Sequence, residues 1–215
     1  MPLVTLERRA MLIGATAALV APALPDVASA SSHLIVTPGQ TEGPFYPVSF
    51  PPDMDSDLVR VQGQKAQAMG QVTHLAGRVL DKRGEPVRGA MVEIWQCDAR
   101  GIYHHPLQPG LQRRDTAFQG YGRMEAADGR YNFRTIRPVA YPGRTPHIHF
   151  KVHAPGAGRL TTQMYIAGEG QNATDGVLNG IRSARARESL IVRLQAAGDV
   201  EPGALKGTFD IVLDL

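Results

Sequence analysis

Between Val72 and Leu213 the chain is cut by glycine and proline into short runs, several of which alternate polar and apolar side chains with a period of two. The clearest are Arg130-Tyr131-Asn132-Phe133-Arg134-Thr135-Ile136 and His147-Ile148-His149-Phe150-Lys151-Val152. A period of two puts every second side chain on one face of a strand, and runs this short cannot carry an amphipathic helix. Half-apolar strands must cover one another's greasy faces, so the predicted fold is all-β: a β-sandwich with long loops and little helix. His74 to Leu80, a turn at Asp81-Lys82-Arg83-Gly84 and Pro86 to Trp95 read as an opening hairpin. Phe118 to Met124, Leu160 to Ala167, Leu190 to Leu194 and Gly207 to Leu213 read as further strands, with one short helix within Gly176 to Ala184.

Of the 215 residues 43% are apolar and 20% charged, enough for a substantial core and too ordered a composition for disorder. The net charge is only +3, and the one basic group, Arg182, Arg185, Arg187 and Arg193, has no interleaved aromatics. It reads as a solvated face, and a nucleic-acid partner is not expected. Arg8-Arg9 followed by the apolar run Met11 to Ala23 and by Ala28-Ser29-Ala30 reads as an export signal over residues 1–30, of twin-arginine type, with Glu7 where a hydroxyl residue is usual. The apolar run is too short to span a bilayer. Residues 31–215 then form one domain, opening with an extended arm over 31–71. The single cysteine, Cys97, allows no internal disulfide and reads as a buried, inert thiol.

The chemistry gathers on the strand entered by Tyr141-Pro142-Gly143-Arg144-Thr145-Pro146. His147 and His149 lie two apart, so both imidazoles can converge on one point. No carboxylate follows at the short spacing of a two-histidine, one-carboxylate site, although Glu125, Asp128 and Glu169 could supply one from a distance, and zinc with a third histidine is a further alternative. Two tyrosines are also at hand, Tyr103 on a long loop and Tyr141. Phenols ligate only where a hard, highly charged cation stabilises the phenolate, which ferric iron does. On the residues alone, Tyr103 and Tyr141 read first as a loop and a turn aromatic packed on the core, Tyr131 is a core residue, and His104 and His105 belong to a loop surface.

An ordered set of segments resembles the intradiol ring-cleavage dioxygenases, especially their protocatechuate 3,4-dioxygenase branch: Thr41-Glu42-Gly43-Pro44-Phe45-Tyr46, Val92 to Gln96 with Gly101-Ile102-Tyr103, Gly129 to Pro138, Tyr141 to Phe150, and Thr162-Gln163-Met164-Tyr165. The resemblance implies a non-haem Fe(III) cofactor with Tyr103, Tyr141, His147 and His149 as ligands. It implies a catechol-type diol and O2 as substrates and a cis,cis-muconate-type diacid as product. Arg144 would stabilise charge on the ring, Gln163 would orient substrate, and the Tyr141 phenol would take a substrate proton. Thr41 and Tyr46 either line the pocket or make structural arm contacts. The stretch between Tyr141 and Arg144 is shorter than in the protocatechuate enzymes, so the diol is not specified. A homo-oligomer is compatible with the sequence. The competing reading is an exported, non-catalytic, transthyretin-like binding module.

Overall fold

The computed structural model describes residues 34–51, 53–156 and 158–215, and the expected export signal lies outside them. Among the described residues ten strands form two five-stranded sheets, an all-β sandwich. The first sheet is built around β1 (Val72–Asp81). Along residues 72–78 this strand runs antiparallel to β4 (Arg130–Ile136), and on its other edge it runs parallel to β9 (Leu205–Thr208) and, further along, to β10 (Ile211–Leu213). The two-residue β8 (Gln195–Ala196) closes that edge. The second sheet has the order β3 (Tyr121–Ala126), β2 (Ala90–Trp95), β5 (His147–Ala154), β6 (Gly158–Ile166) and β7 (Ile191–Val192).

Alternation decides which face goes where. Leu75, Val79, Tyr131 and Phe133 from one sheet meet Val92, Ile94, Ile148, Phe150, Val152 and Met164 from the other in a single core. Burying each large apolar side chain contributes about 1.5–3 kcal/mol, which is what locks the strands in register. Phe150 bridges the layers, its ring centroid 5.0 Å from Phe209 and 6.0 Å from Tyr131. The chain crosses so closely there that a Cβ on Gly77 would lie 2.0 Å from the Phe209 carbonyl oxygen, so no other residue fits. Tyr131, as expected, is a core residue; its hydroxyl donates to that same carbonyl.

The predicted opening hairpin is not formed, because β1 and β2 lie in different sheets. Residues 85–87 do fold back on β1, Val87 N–H donating to the Val79 carbonyl at 2.8 Å. The chain then leaves, since β4 and β9 occupy both edges of β1 and the Val92/Ile94 face can be covered only from the opposite layer. The single expected helix is two: α1 (Gly176–Asn179), capped by Asp175, and α2 (Ala184–Glu188), capped by Ser183. The last predicted strand is split into β9 and β10, because Phe209 N–H turns to the Ala76 carbonyl.

Ahead of β1, the only strand-type pairing among the described residues is a parallel bridge between Asp57 and Arg134. Residues 34–46 run instead along sheet edges, tied by Thr37 N–H to Val212 and by Gln40 N–H to Thr161. They cross the outer face of the second sheet, where the polar side of β5 is turned.

Candidate metal centre

The outer face of β5 carries His147, His149 and Lys151, all buried, while Ile148, Phe150 and Val152 point into the sandwich. Register places Trp95 of β2 and Gln163 of β6 on either side of His149, and Tyr165 beside His147. The Trp95 indole stacks on the His149 ring, centroids 4.7 Å apart and planes within 12°. This flat wall fixes the imidazole's orientation.

Tyr103 arrives on the loop after β2. Asp98, fully buried, organises that loop: its carboxylate accepts from the amides of Arg100, Ile102 and Asp115 at 2.8, 3.0 and 2.7 Å. Tyr141 arrives on a turn. In Tyr141-Pro142-Gly143-Arg144 the Arg144 amide donates to the Tyr141 carbonyl at 3.0 Å, and Gly143 takes a φ of +84°. Proline then glycine at the two central positions is the composition of a type II turn, and it sets Tyr141 and Arg144 side by side.

These elements bring four donor atoms together. The Tyr103 hydroxyl oxygen lies 3.3 Å from His147 Nε2 and 3.1 Å from His149 Nε2, and the Tyr141 hydroxyl oxygen lies 3.4 Å from His147 Nε2. Each of the four residues predicted as metal ligands is in the cluster. His147 Nδ1 is 2.6 Å from the Thr145 carbonyl, so Nδ1 carries the proton and Nε2 presents its lone pair to the phenols. Burial, reinforced by Arg144, lowers the His147 pKa to about 4, and burial with the neighbouring His147 holds His149 well below the usual imidazole value. Both imidazoles are therefore neutral and able to ligate.

The phenols tell the other half. Burial raises the Tyr103 hydroxyl well above the usual phenol value, and it raises Tyr141 despite the nearby Arg144 charge. Neither ionises here without an added cation. Two lone-pair nitrogens and two phenols that need a strong positive charge fit a hard trivalent metal. Among the described residues no group of three or more His, Cys, Asp or Glu could hold a metal, so within them the distant-carboxylate and zinc alternatives find no geometry. Glu169 is instead paired with Arg137.

Arg144 lies at the edge of this cluster. Its Nε donates to Asp175 Oδ2 at 2.8 Å and its Nη2 to Gln163 Oε1 at 2.5 Å. Asp175 also accepts the Thr145 amide at 3.0 Å and caps α1, so one buried carboxylate fixes the arginine, the turn and the helix. Gln163 in turn donates from Nε2 to the Thr41 carbonyl at 3.0 Å, which holds the arm against the site. Tyr46 packs beneath: its ring lies edge-on to Trp95 and its hydroxyl donates to Glu93 Oε2 at 2.7 Å.

His105, expected on the loop surface, is buried with its ring edge-on to Phe45, and His104 Nε2 is buried without a partner. Phe45 of the arm covers His105, a contact invisible from the loop's own sequence, while the His104 ring lies edge-on to Phe118. Cys97 is buried as expected, and its thiol is pushed up to about 12 by burial and by Asp98, which makes it unreactive at neutral pH. Asp98 and Asp175 were not singled out from sequence; an Asp three residues before Gly101 and an Asp opening Gly176-Val177-Leu178 were the available signals. A space of about 440 Å³ adjoins the cluster, walled by Phe45, Phe50, Trp95, Tyr103 and Tyr121. The larger cavity, about 1050 Å³, lies against the other sheet, where Arg134 and Lys206 are already paired with acids.

Residues 41–215 match the family described as Dioxygenase. The protocatechuate 3,4-dioxygenase beta chain of Burkholderia cepacia is 41% identical over 169 residues, covering 74% of this chain and 72% of that one. The hydroxyquinol 1,2-dioxygenase of Corynebacterium glutamicum is 31% identical over 175 residues, 68% of this chain but only 54% of that enzyme. Among solved structures, the dioxygenase domain of a dioxygenase–carbohydrate-binding protein fusion from the cellulolytic bacterium Streptomyces sp. SirexAA-E superposes with a TM-score of 0.65 at 34% identity, covering 84% of this chain and 99% of that one. With the two-tyrosine, two-histidine cluster in place on an all-β sandwich, the chain belongs to the intradiol ring-cleavage dioxygenase family.

Proposed function

We propose that this protein is a ferric, non-haem enzyme that uses O2 to open a catechol-type diol between its two hydroxylated carbons, giving a cis,cis-muconate-type diacid. The observation that carries this reading is the convergence of two phenol oxygens and two imidazole Nε2 atoms, linked in a chain by three contacts of 3.1–3.4 Å. Tyr103, Tyr141, His147 and His149 would hold the iron. Bound there, ferric iron supplies the charge that ionises the phenols and the diol and renders the ring reactive toward O2.

The chain's own groups do the rest. Tyr141, half-buried at the edge of the cluster, is placed to receive a proton from the incoming diol at its hydroxyl oxygen, whereas the deeply buried Tyr103 is not. Arg144, held rigid by Asp175 and Gln163, offers a fixed cation to negative charge building on the ring; pre-set charge in a dry site is the largest kind of catalytic stabilisation. Gln163 and the Thr41 carbonyl form the adjoining wall and orient the substrate. A non-catalytic module gives no reason to bury four metal-type donors together.

Export by the twin-arginine route is part of this proposal. It is supported by Arg8-Arg9 and Ala28-Ser29-Ala30, and by the fusion of a similar dioxygenase to a carbohydrate-binding protein in a cellulolytic bacterium. Among the described residues no helix is long and apolar enough to cross a membrane. An oligomer is proposed as well, since relatives are named alpha and beta chains; light scattering of the purified chain reads whether copies of it alone assemble, as a homo-oligomer requires. The deciding experiment is oxygen uptake by iron-loaded protein with catechol, protocatechuate, hydroxyquinol and substituted catechols, with product ultraviolet spectra. Muconate-type products support the reading. Colourless protein with stoichiometric zinc and no oxygen uptake ends it.

A further inference from the structure

Lys151 is the next outward-facing residue of β5 after His149, and it is buried, its side chain 5% exposed. A buried ammonium is costly unless it is well paired. Here its partners all come from, or hold, the arm. Its Nζ is ion-paired with Glu42, and it sits 3.2 Å from the centroid of the Tyr46 ring and 5.7 Å from that of Trp95. Tyr46 is anchored in turn through its hydroxyl to buried Glu93, the residue opposite Lys151 on β2, which also takes His153 Nε2 at 2.7 Å. Between these two fastenings the arm's Gly43 passes so close to the metal cluster that a Cβ there would lie 3.5 Å from His149 Cε1.

We propose that Lys151 is a positioning residue: a buried cation that clamps the arm, through Glu42 and the face of Tyr46, into place as one wall of the diol site. The clamp deepens the dioxygenase reading and rests on it for its effect on substrate. Four observations meet in it: burial of the charge, the Glu42 pair, the cation over the Tyr46 ring, and the arm's contact with His149. Lys151 touches neither a donor atom nor the expected position of the diol. Its role is therefore to set how well the diol is held, more than how fast it reacts.

The test compares Lys151→Met, Lys151→Arg and Glu42→Gln with wild type, using Lys206→Met, which breaks an exposed pair elsewhere, as the control. The first readout is hydrogen exchange at amides 40–46, which needs no activity. The second is the split between KM and kcat for whichever diol is turned over. Lys151→Met is expected to speed arm exchange by about tenfold or more and to raise KM by about tenfold, with a smaller change in kcat, as loss of uniform binding requires. Lys151→Arg, which keeps the charge and stacks on the ring, should restore most of both. Unchanged arm exchange, or faster exchange with unchanged KM, overturns the proposal. Should Lys151→Met fail to fold, Glu42→Gln carries the same two readouts from the half-exposed end of the pair. If the wild type consumes no diol, the proposed reaction falls, while arm exchange still decides the clamp.

Discussion

A single side chain, Asp175, shows how much this site asks of residues that supply none of its four donor atoms. It is almost fully buried, accepts from Arg144 and Thr145, and caps α1. Asp175→Asn keeps the shape but removes the charge that faces the guanidinium. Leaving a partly buried arginine unpaired should cost about 2–4 kcal/mol in urea unfolding and lower kcat more than it raises KM, because Arg144 is no longer held where charge develops. At the ligands themselves, Tyr103→Phe should shift or weaken the visible absorption that a phenolate gives with ferric iron. His147→Ala should lose iron, read as metal per chain, because it removes a lone pair that lies within 3.4 Å of both phenol oxygens. These roles were legible to very different degrees. His147 and His149 announce themselves by spacing, and Tyr103 and Tyr141 by their place in an ordered set of segments. Asp175 forms its ion pair across 31 residues, and no local pattern signals a contact of that range.

Among the elements, β5 does two jobs at once. Its apolar side closes the sandwich and its polar side carries two of the four clustered donors, so the rigidity of the core is lent to them. A different set of charges ties the arm to the other sheet. Arg134 of β4 reaches both Asp57 at 3.0 Å and Glu201 at 2.7 Å, and the Arg134 hydrogen bond lowers the Glu201 carboxyl to about 2. The sign is that of a depressed acid: the contribution is complete above about pH 4.5 and drains away as pH falls toward 2. Glu201→Gln should therefore be less stable than wild type in urea melts at pH 7, and the gap should close progressively between pH 4.5 and pH 2. Partial exposure of the pair keeps the effect modest. Strand existence was readable from alternation, yet partnership was not. The run His74 to Leu80 reads as half of a hairpin because its own sequence cannot reveal that β4 and β9 compete for its edges. His105 failed for a similar reason, its burial being conferred by Phe45, sixty residues earlier.

For the molecule as a whole, stability and chemistry are separable in space. The core between the sheets is apolar, and the donors lie outside it, under the arm and the 98–120 loop. Phe150→Ala, at a fully buried position against Phe209, should destabilise the fold by about 3–5 kcal/mol in chemical unfolding. Iron bound by the fraction still folded should retain its visible band, since the neighbouring His149 faces the opposite way. What the amino-acid order determined alone was the two-layer architecture, because period-two runs dictate strands with one apolar face; for the site it supplied the paired histidines and the ordered segments whose family resemblance implies two phenols beside them. What required the tertiary structure was every relation between residues far apart in the chain, namely which strands pair, which acid steadies Arg144, and which cation holds the arm. Periodicity is a local property that survives in the sequence, whereas edge competition and ion pairing in a desolvated interior are settled by the free energy of the assembled whole.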